Sequence, residues 1–185
     1  MSTIADEMNQ IKRLFDIPYF QMNQFPNDSM FVTKKNGEWQ SISTERFLQK
    51  VNAISCGLVE LGVKLGERVA LVSPNRVEWN IMDIAIQQIG AIVVPVYPNI
   101  SEADYRYIFN DAGIRFAFVG TNELCQKITH VKPDVATLER IYCFDPIENE
   151  AFYEELIELG KNVSTNTIRD LKANIRNEDL ATIIY

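Results

Sequence analysis

The segment from Asp145 to Glu158 carries a crowd of carboxylates: Asp145, Glu148, Glu150, Glu154, Glu155 and Glu158. Grouped carboxylates are the donors of hard divalent cations, but such sites need ligands at ordered spacing, which this segment lacks. The same residues suit the polar face and N-terminal side of a helix, where negative charge complements the dipole. A solvated face is expected, and no metal ligand is assigned. His130 is the sole histidine, beside Lys132 and Pro133. One imidazole gives no His-rich metal site and little basis for a Ser-His-Asp triad. A helix-end or surface role is expected instead. Cys56, Cys125 and Cys143 are odd in number and widely spaced, with no CxxC pair. Buried, reduced thiols are the expectation.

Phosphate-binding glycine motifs are missing. Gly57, Gly62 and Gly66 fit neither G-x-G-x-x-G nor the P-loop, and Gly160-Lys161 has Glu155 where the P-loop's first glycine would stand. These glycines read as helix packing, a helix stop and a strand-entry turn. Two loops remain. Asn75-Arg76-Val77-Glu78-Trp79 follows a predicted strand and opens a helix, the crevice position where ligands bind in open sheets. The favoured reading is the plainer one, an Asn helix cap, an Arg–Glu surface pair and a Trp packed on the sheet. Tyr97-Pro98-Asn99-Ile100-Ser101 is the equivalent loop one unit later. Its Ser101 amide region could face an anionic group, or the loop is a proline-shaped turn and N-cap.

The elements that would position these loops follow from hydrophobic period. In the first 29 residues, Pro18 and Pro26 with scattered aromatics predict a short helix and then a loop. Met30–Lys34 and Trp39–Ile42 flank an Asn-Gly turn, a hairpin signal. Ser43 caps a helix whose inward residues are Phe47, Val51, Ile54, Leu58 and Leu61, stopped by Gly62. Strands are predicted at Val69–Ser73, Ala91–Tyr97, Phe116–Val119 and Arg140–Phe144. Helices are predicted from Arg76 to Gln88, after Ser101 with Asp104 as a capping box, after an Asn122 cap, and at Ala151–Leu159. Short apolar strands alternating with amphipathic helices predict an α/β fold: a three-layer, doubly wound, mostly parallel sheet with flanking helices and an N-terminal β-hairpin.

The 185 residues suffice for a substantial core, and 46% hydrophobic with 23% charged residues describes a globular chain. A net charge of −7 argues against a nucleic-acid partner, which would need a basic footprint. The N-terminus has no apolar signal region, and the run Ile89–Tyr97 is far below the roughly 18 residues of a membrane span. Cytoplasmic placement is the default expectation. The sequence ends on Asp179-Leu180-Ala181-Thr182-Ile183-Ile184-Tyr185, an apolar strand that stops where a loop bearing chemistry would begin.

The run VALVSPNRVEWNIMDIAIQQIGAIVVPVYPNISEADYRYIFNDAGIRFAFVG, Val69 to Gly120, resembles the N-terminal part of the AMP-forming acyl-CoA synthetases. Gly37–Leu71 before it and the final DLATIIY fit the same superfamily, so the likeness spans Phe31 to Tyr185. PNRVEW, IQQIGA, VPVYPNIS and YIFNDA are most similar to the long-chain fatty-acid branch. Val77 departs from it, since that branch often has Pro there. The resemblance implies a ligase that joins fatty acid to CoA through an acyl-adenylate, using ATP, Mg²⁺ and CoA. It implies that residues 1–29 precede an N-terminal α/β subdomain at 30–185, cut before the phosphate loop and therefore inactive alone. No catalytic residue carries over, because the phosphate loop, the later acidic and aromatic motifs and a C-terminal lysine match nothing here. Pro98, Asn99 and Ile100 carry over as the border of the CoA nucleotide. The parent is expected in the cytoplasm or peripheral to the inner face of the membrane. Self-association or a homodimer through an exposed strand edge at Leu180–Tyr185 is also expected. The rival readings are an adenylation enzyme of another substrate branch and a stand-alone, non-catalytic α/β binding module.

Overall fold

The computed structural model describes residues 11–35 and 37–185. Most of the polar N-terminal stretch, and Asn36 of the predicted hairpin turn, lie outside them. Helix α1 (Asp16–Gln24) leads into a hairpin of β1 (Phe31–Lys35) and β2 (Glu38–Ile42). The alternating units follow as α2 (Thr44–Glu60), β3 (Arg68–Val72), α3 (Val77–Gln87), β4 (Ile92–Val96), α4 (Glu102–Ala112), β5 (Phe116–Val119), α5 (Asn122–Val131) and β6 (Arg140–Cys143). A two-residue strand β7 (Ala151–Phe152) and helices α6 (Glu155–Leu159) and α7 (Thr165–Asn174) complete the order.

The main sheet runs β4-β3-β5-β6-β7, and every pairing in it is parallel. Side chains alternate between its faces. Val69, Leu71, Val93, Phe116, Phe118 and Tyr142 enter one buried cluster with Phe47, Ile54, Leu58, Ile81 and Ile86 of α2 and α3. Ala70, Val72, Val94, Ala117, Val119 and Ile141 enter the other with Tyr105, Phe109 and Ile128 of α4 and α5. These are the three layers of the doubly wound arrangement. Strand β3 hands the chain to β4 on one side, and β5 returns on the other. The topological switch therefore lies between β3 and β5, and ligand crevices of such sheets form at its carboxyl end.

Polar contacts fasten the periphery. The Tyr19 hydroxyl of α1 lies within hydrogen-bond distance of the Asn52 (2.7 Å) and Gln88 (2.8 Å) side-chain oxygens and donates to one of them, while the Gln88 amide donates to Ser55, so a polar network binds α1 to α2 and α3. The hairpin is seated by Phe31 against the Phe47 ring, centroids 5.3 Å apart. Among the described residues, no helix is long and apolar enough to cross a membrane.

Several local expectations are corrected. Ala151–Leu159 is not one helix: Ala151 and Phe152 pair with β6, and Tyr153 N–H extends the ladder to the Cys143 carbonyl at 3.0 Å, before α6 begins. Thr121, rather than Asn122, caps α5 by accepting from Leu124 N–H at 3.3 Å. Helix α7 had no counterpart in the sequence reading; Ser164 caps it, and Ile168 is its buried residue. The Leu180–Tyr185 segment is paired on one side. Val93 N–H donates to the Ala181 carbonyl (3.0 Å), and Ile183 N–H to the Val93 carbonyl (2.9 Å), so the segment covers the β4 edge. Only its outer side keeps the edge character expected for the whole segment.

Gly57 lies inside α2, where glycine is a poor helix former. Its lack of a side chain lets α2 and the α6 region touch: a Cβ on Gly57 would strike the Leu156 backbone, and one on Gly160 would strike Gly57. Gly57→Ala is expected to destabilise the fold by about 1–3 kcal/mol, as overpacking does. Helix propensity alone predicts a gain of about 1 kcal/mol from the same change. Urea unfolding decides the sign, and a stabilised variant would refute the close approach.

Candidate functional site

The carboxyl ends of β3, β5 and β6 meet around Arg76. Strand β3 ends at Val72 and the chain turns through Ser73-Pro74-Asn75, placing Arg76 as the residue before α3. From there its guanidinium crosses the switch point. Nε donates to Glu78 at 2.9 Å, Nη2 donates to Asp145 at 2.8 Å, and Nη1 donates to the Gly120 carbonyl. Gly120 ends the β5 unit, and Asp145 follows β6 by two residues. The guanidinium carbon also sits 5.5 Å from the centroid of the Phe144 ring. Lys35, at the end of β1, closes the far side of Glu78 at 3.0 Å. Thus one arginine ties together the segments after β3, β5 and β6, and the hairpin joins them through Glu78.

Glu78 is 6% exposed. Burial by itself raises a carboxyl pKa, but hydrogen bonds from Arg76, from its own backbone N–H and from Lys35, with the Arg76 charge, bring Glu78 down to about 2. Burial likewise opposes the charge on Arg76, and the hydrogen bonds and charges of Asp145 and Glu78 outweigh it, holding the guanidinium pKa above its ordinary value. The expected Arg–Glu surface pair is therefore a buried one with a third partner. The Asn75 cap is also corrected: Arg76 holds the N-cap position without a side-chain cap bond, and the Asn80 amide donates back to its carbonyl at 3.0 Å. Trp79 is half-buried against the core, as one of its two readings had it.

Ser73 and Gly120 face each other across the switch so closely that a Cβ on Gly120 would overlap the Ser73 side chain. This contact leaves no gap between β3 and β5 at the level of the guanidinium. Each of the three guanidinium nitrogens of Arg76 donates to a protein acceptor. The Arg76 charge is thus offset by the carboxylates of Glu78 and Asp145.

The second loop lies beside it, beyond β4. Tyr97 is 69% exposed, Asn99 is exposed, and Pro98 and Ile100 are half-buried, with Ile100 packed on the lower core. Tyr105 hydroxyl donates to the Tyr97 carbonyl at 2.8 Å, and Lys127 Nζ donates to the Ile100 carbonyl. Ser101 N–H donates to Asp104 at 3.1 Å within a complete capping box. An anion at that amide would have to displace the Asp104 carboxylate, so the anion-facing reading of Ser101 gives way to the N-cap. What remains presented to solvent is the Tyr97 ring and the Asn99 side chain.

The acidic residues after β6 do not converge. Asp145 serves Arg76, Glu154 meets Lys50 at 2.7 Å, and Glu155 meets Arg140 at 3.5 Å. His130 is exposed and stands 3.0 Å from Glu102 at the end of α5. Cysteine pairing departs from expectation. Cys125 and Cys143 form a disulfide, 18 residues apart in sequence with Cα atoms 6.4 Å apart, and only the buried Cys56 is a free thiol. Wide sequence spacing hid the pair, because α5 folds back onto β6. The Arg76–Asp145 bond was hidden likewise, its partners being 69 residues apart.

A doubly wound domain with ligand-bearing loops at its carboxyl edge fits many families, and the match that decides runs over residues 20–185, to the AMP-binding enzymes. The chain belongs to the AMP-binding enzyme family. Among its family relatives, the long-chain-fatty-acid–CoA ligase FadD15 of Mycobacterium tuberculosis is 29% identical over 150 residues, covering 81% of this chain and 25% of that protein. Fatty acyl-CoA synthetase B of Dictyostelium discoideum is 30% identical over 176 residues, covering 85% of this chain and 26% of that one. The chain thus spans about a quarter of the length of these relatives. The uncharacterized protein Rv1549 of Mycobacterium tuberculosis is 25% identical over 128 residues, with 70% of its own length covered. The fold of a long-chain-fatty-acid–CoA ligase from Archaeoglobus fulgidus matches with a TM-score of 0.71 at 20% identity, over 93% of this chain and 34% of that one.

Removing Arg76 should expose what it holds. Arg76→Met leaves Glu78 buried without its main partner and is expected to cost about 3–5 kcal/mol. The acid response follows from the depressed Glu78 carboxyl. Its stabilisation is complete above the ordinary value of 4.5 and is lost as pH falls toward about 2. Urea unfolding from pH 7 to pH 2 checks both. Glu78→Gln should converge on the parent's stability across that acid window, and a constant difference would contradict the assignment.

Proposed function

We propose that this chain is the N-terminal α/β subdomain, residues 30–185 with 1–29 leading into it, of a long-chain fatty-acid–CoA ligase. The observation that carries the reading is the family match over 20–185, joined to relatives whose names specify fatty-acid–CoA ligation. In the proposed reaction a fatty carboxylate attacks the α-phosphate of ATP, giving acyl-adenylate and pyrophosphate. The CoA thiol then displaces AMP to form the thioester. Mg²⁺ would supply charge neutralisation on the phosphates.

The parts of this chain divide by fit. Pro98, Asn99 and Ile100, with the exposed Tyr97 ring beside them, suit the border of the CoA nucleotide: a planar face and an amide are left open while the loop carbonyls are tied down. The Arg76 crevice does not suit the triphosphate, since the arginine's charge is already paired with the carboxylates of Glu78 and Asp145. Its role is to set the height and spacing of the loops. Phosphate binding and acid activation belong to groups beyond Tyr185, so the 185-residue chain is expected to be inactive alone. Placement in the cytoplasm or at the inner membrane face, and self-association through the outer edge of Leu180–Tyr185, belong to the same proposal.

A second reading has one observation in its favour. Rv1549 is matched over 70% of its own length, so a similar protein of comparable length exists, as a stand-alone binding module would require. Extending the reading frame past Tyr185 separates the two. The ligase reading predicts a continuation into a Thr/Ser/Gly-rich loop ending in Pro-Lys-Gly, and ATP–pyrophosphate exchange that depends on long-chain fatty acid in the extended protein. The 185-residue chain should show none, and should sediment with a weight that rises with concentration. A stop codon after Tyr185, or exchange by the short chain above a heat-killed control, would overturn the corresponding claim. Preference for short, aryl or amino acids in an acyl panel would assign another branch.

A further inference from the structure

Arg76 has two anchors outside its own helix, the Gly120 carbonyl and the Asp145 carboxylate. The disulfide joins the segments that carry them. Cys125 lies in the first turn of α5, and its N–H donates at 2.8 Å to the carbonyl of Thr121, the residue after Gly120. Cys143 ends β6, and the next residues are Phe144, beneath the guanidinium, and Asp145. We propose that Cys125–Cys143 is a thiol–disulfide switch that sets how firmly the loops after β5 and β6 are held around Arg76.

The placement supports a device more than a staple. The bond joins neighbouring elements that already share a packed core, so Cys125 and Cys143 stay close when it is open. Its local effect is to join the α5 N-terminus to the end of β6, and with them both remote Arg76 anchors. Both sulfurs are buried, Cys125 at 1% and Cys143 at 0% exposure, so exchange requires α5 to lift locally. Cys56 does not compete: it lies in α2 on the opposite face of the sheet, and burial pushes its thiol pKa up, away from the reactive thiolate. With glutathione disulfide as oxidant, one cysteine thiolate attacks it and releases a glutathione thiolate. The second cysteine thiolate attacks the mixed disulfide and releases the other. Two protein S–H bonds become one S–S bond, two electrons pass to the glutathione disulfide, and the two protons end on the two glutathione thiols.

The test needs no enzymatic activity, so it is independent of the ligase reading. The chain is equilibrated with oxidised or reduced glutathione, and its thiols are counted after denaturation in alkylating agent. One thiol is expected in the oxidised sample and three in the reduced. Amide hydrogen exchange is then followed at Cys125, Phe144 and Tyr153. Reduction should speed their exchange by roughly tenfold or more while leaving α2 unchanged. Cys125→Ser with Cys143→Ala should exchange as the reduced protein does and ignore glutathione, whereas Cys56→Ala should respond as the parent does. Three thiols in the oxidised sample, equal exchange in both states of the parent, or a glutathione response that survives loss of the pair would each overturn the proposal.

Discussion

A guanidinium taken out of water must find acceptors for its donors, and it is costly to bury with any left unpaired. Arg76 places one bond from each nitrogen: on Glu78 of the helix it precedes, on the Gly120 carbonyl after β5 and on Asp145 after β6. Each acceptor comes from a different stretch of chain. Their relative positions are therefore fixed together, and Lys35 brings the hairpin into the same arrangement through Glu78.

Below that edge the sheet supplies the rigidity. Alternate residues of each strand feed two separate cores, one with α2 and α3 and one with α4 and α5. Neither face can slip without moving the other, since a shift of one residue would exchange the two sets of side chains. The Gly57–Gly160 contact then draws the α6 region onto α2, which places Tyr153 edge-on to Phe144 with centroids 5.3 Å apart. Phe144 in turn lies under Arg76. Packing on one helix face thereby reaches the crevice through a short chain of direct contacts.

What the sequence could reveal followed the range of the interaction. The strands β3 to β6 were legible as short apolar runs, and α2 and α4 as spaced stripes with Ser43 and Ser101 at their starts. Helix α7 was not, because its inward side is only Ile168 and the partly buried Leu171, too short a stripe to read among polar neighbours. Strand β7 was lost for a similar reason, as two paired residues leave no alternation to read. At the site, the sequence singled out the Asn75–Trp79 stretch by its position after a strand. It could not show that Glu78 was buried and Arg76 half-buried, nor that Asp145, grouped with the solvated acids, had a separate partner. The Cys125–Cys143 pair was misjudged on the same ground: residues distant in sequence become neighbours only once the helix has returned to the sheet. The resemblance to acyl-CoA synthetases, by contrast, rests on many weak local matches in order, and order survives without knowledge of contacts.

The account depends on the Arg76 guanidinium being held among three protein acceptors instead of facing solvent. Nitrogen-15 NMR of arginine side chains reads this directly. The account predicts a sharp, resolved Arg76 Nε–H signal that exchanges slowly with water and shifts when Glu78 is replaced by Gln. A signal that exchanges as fast as those of exposed arginines such as Arg169 would contradict it, and the crevice would then be an open, charged cleft.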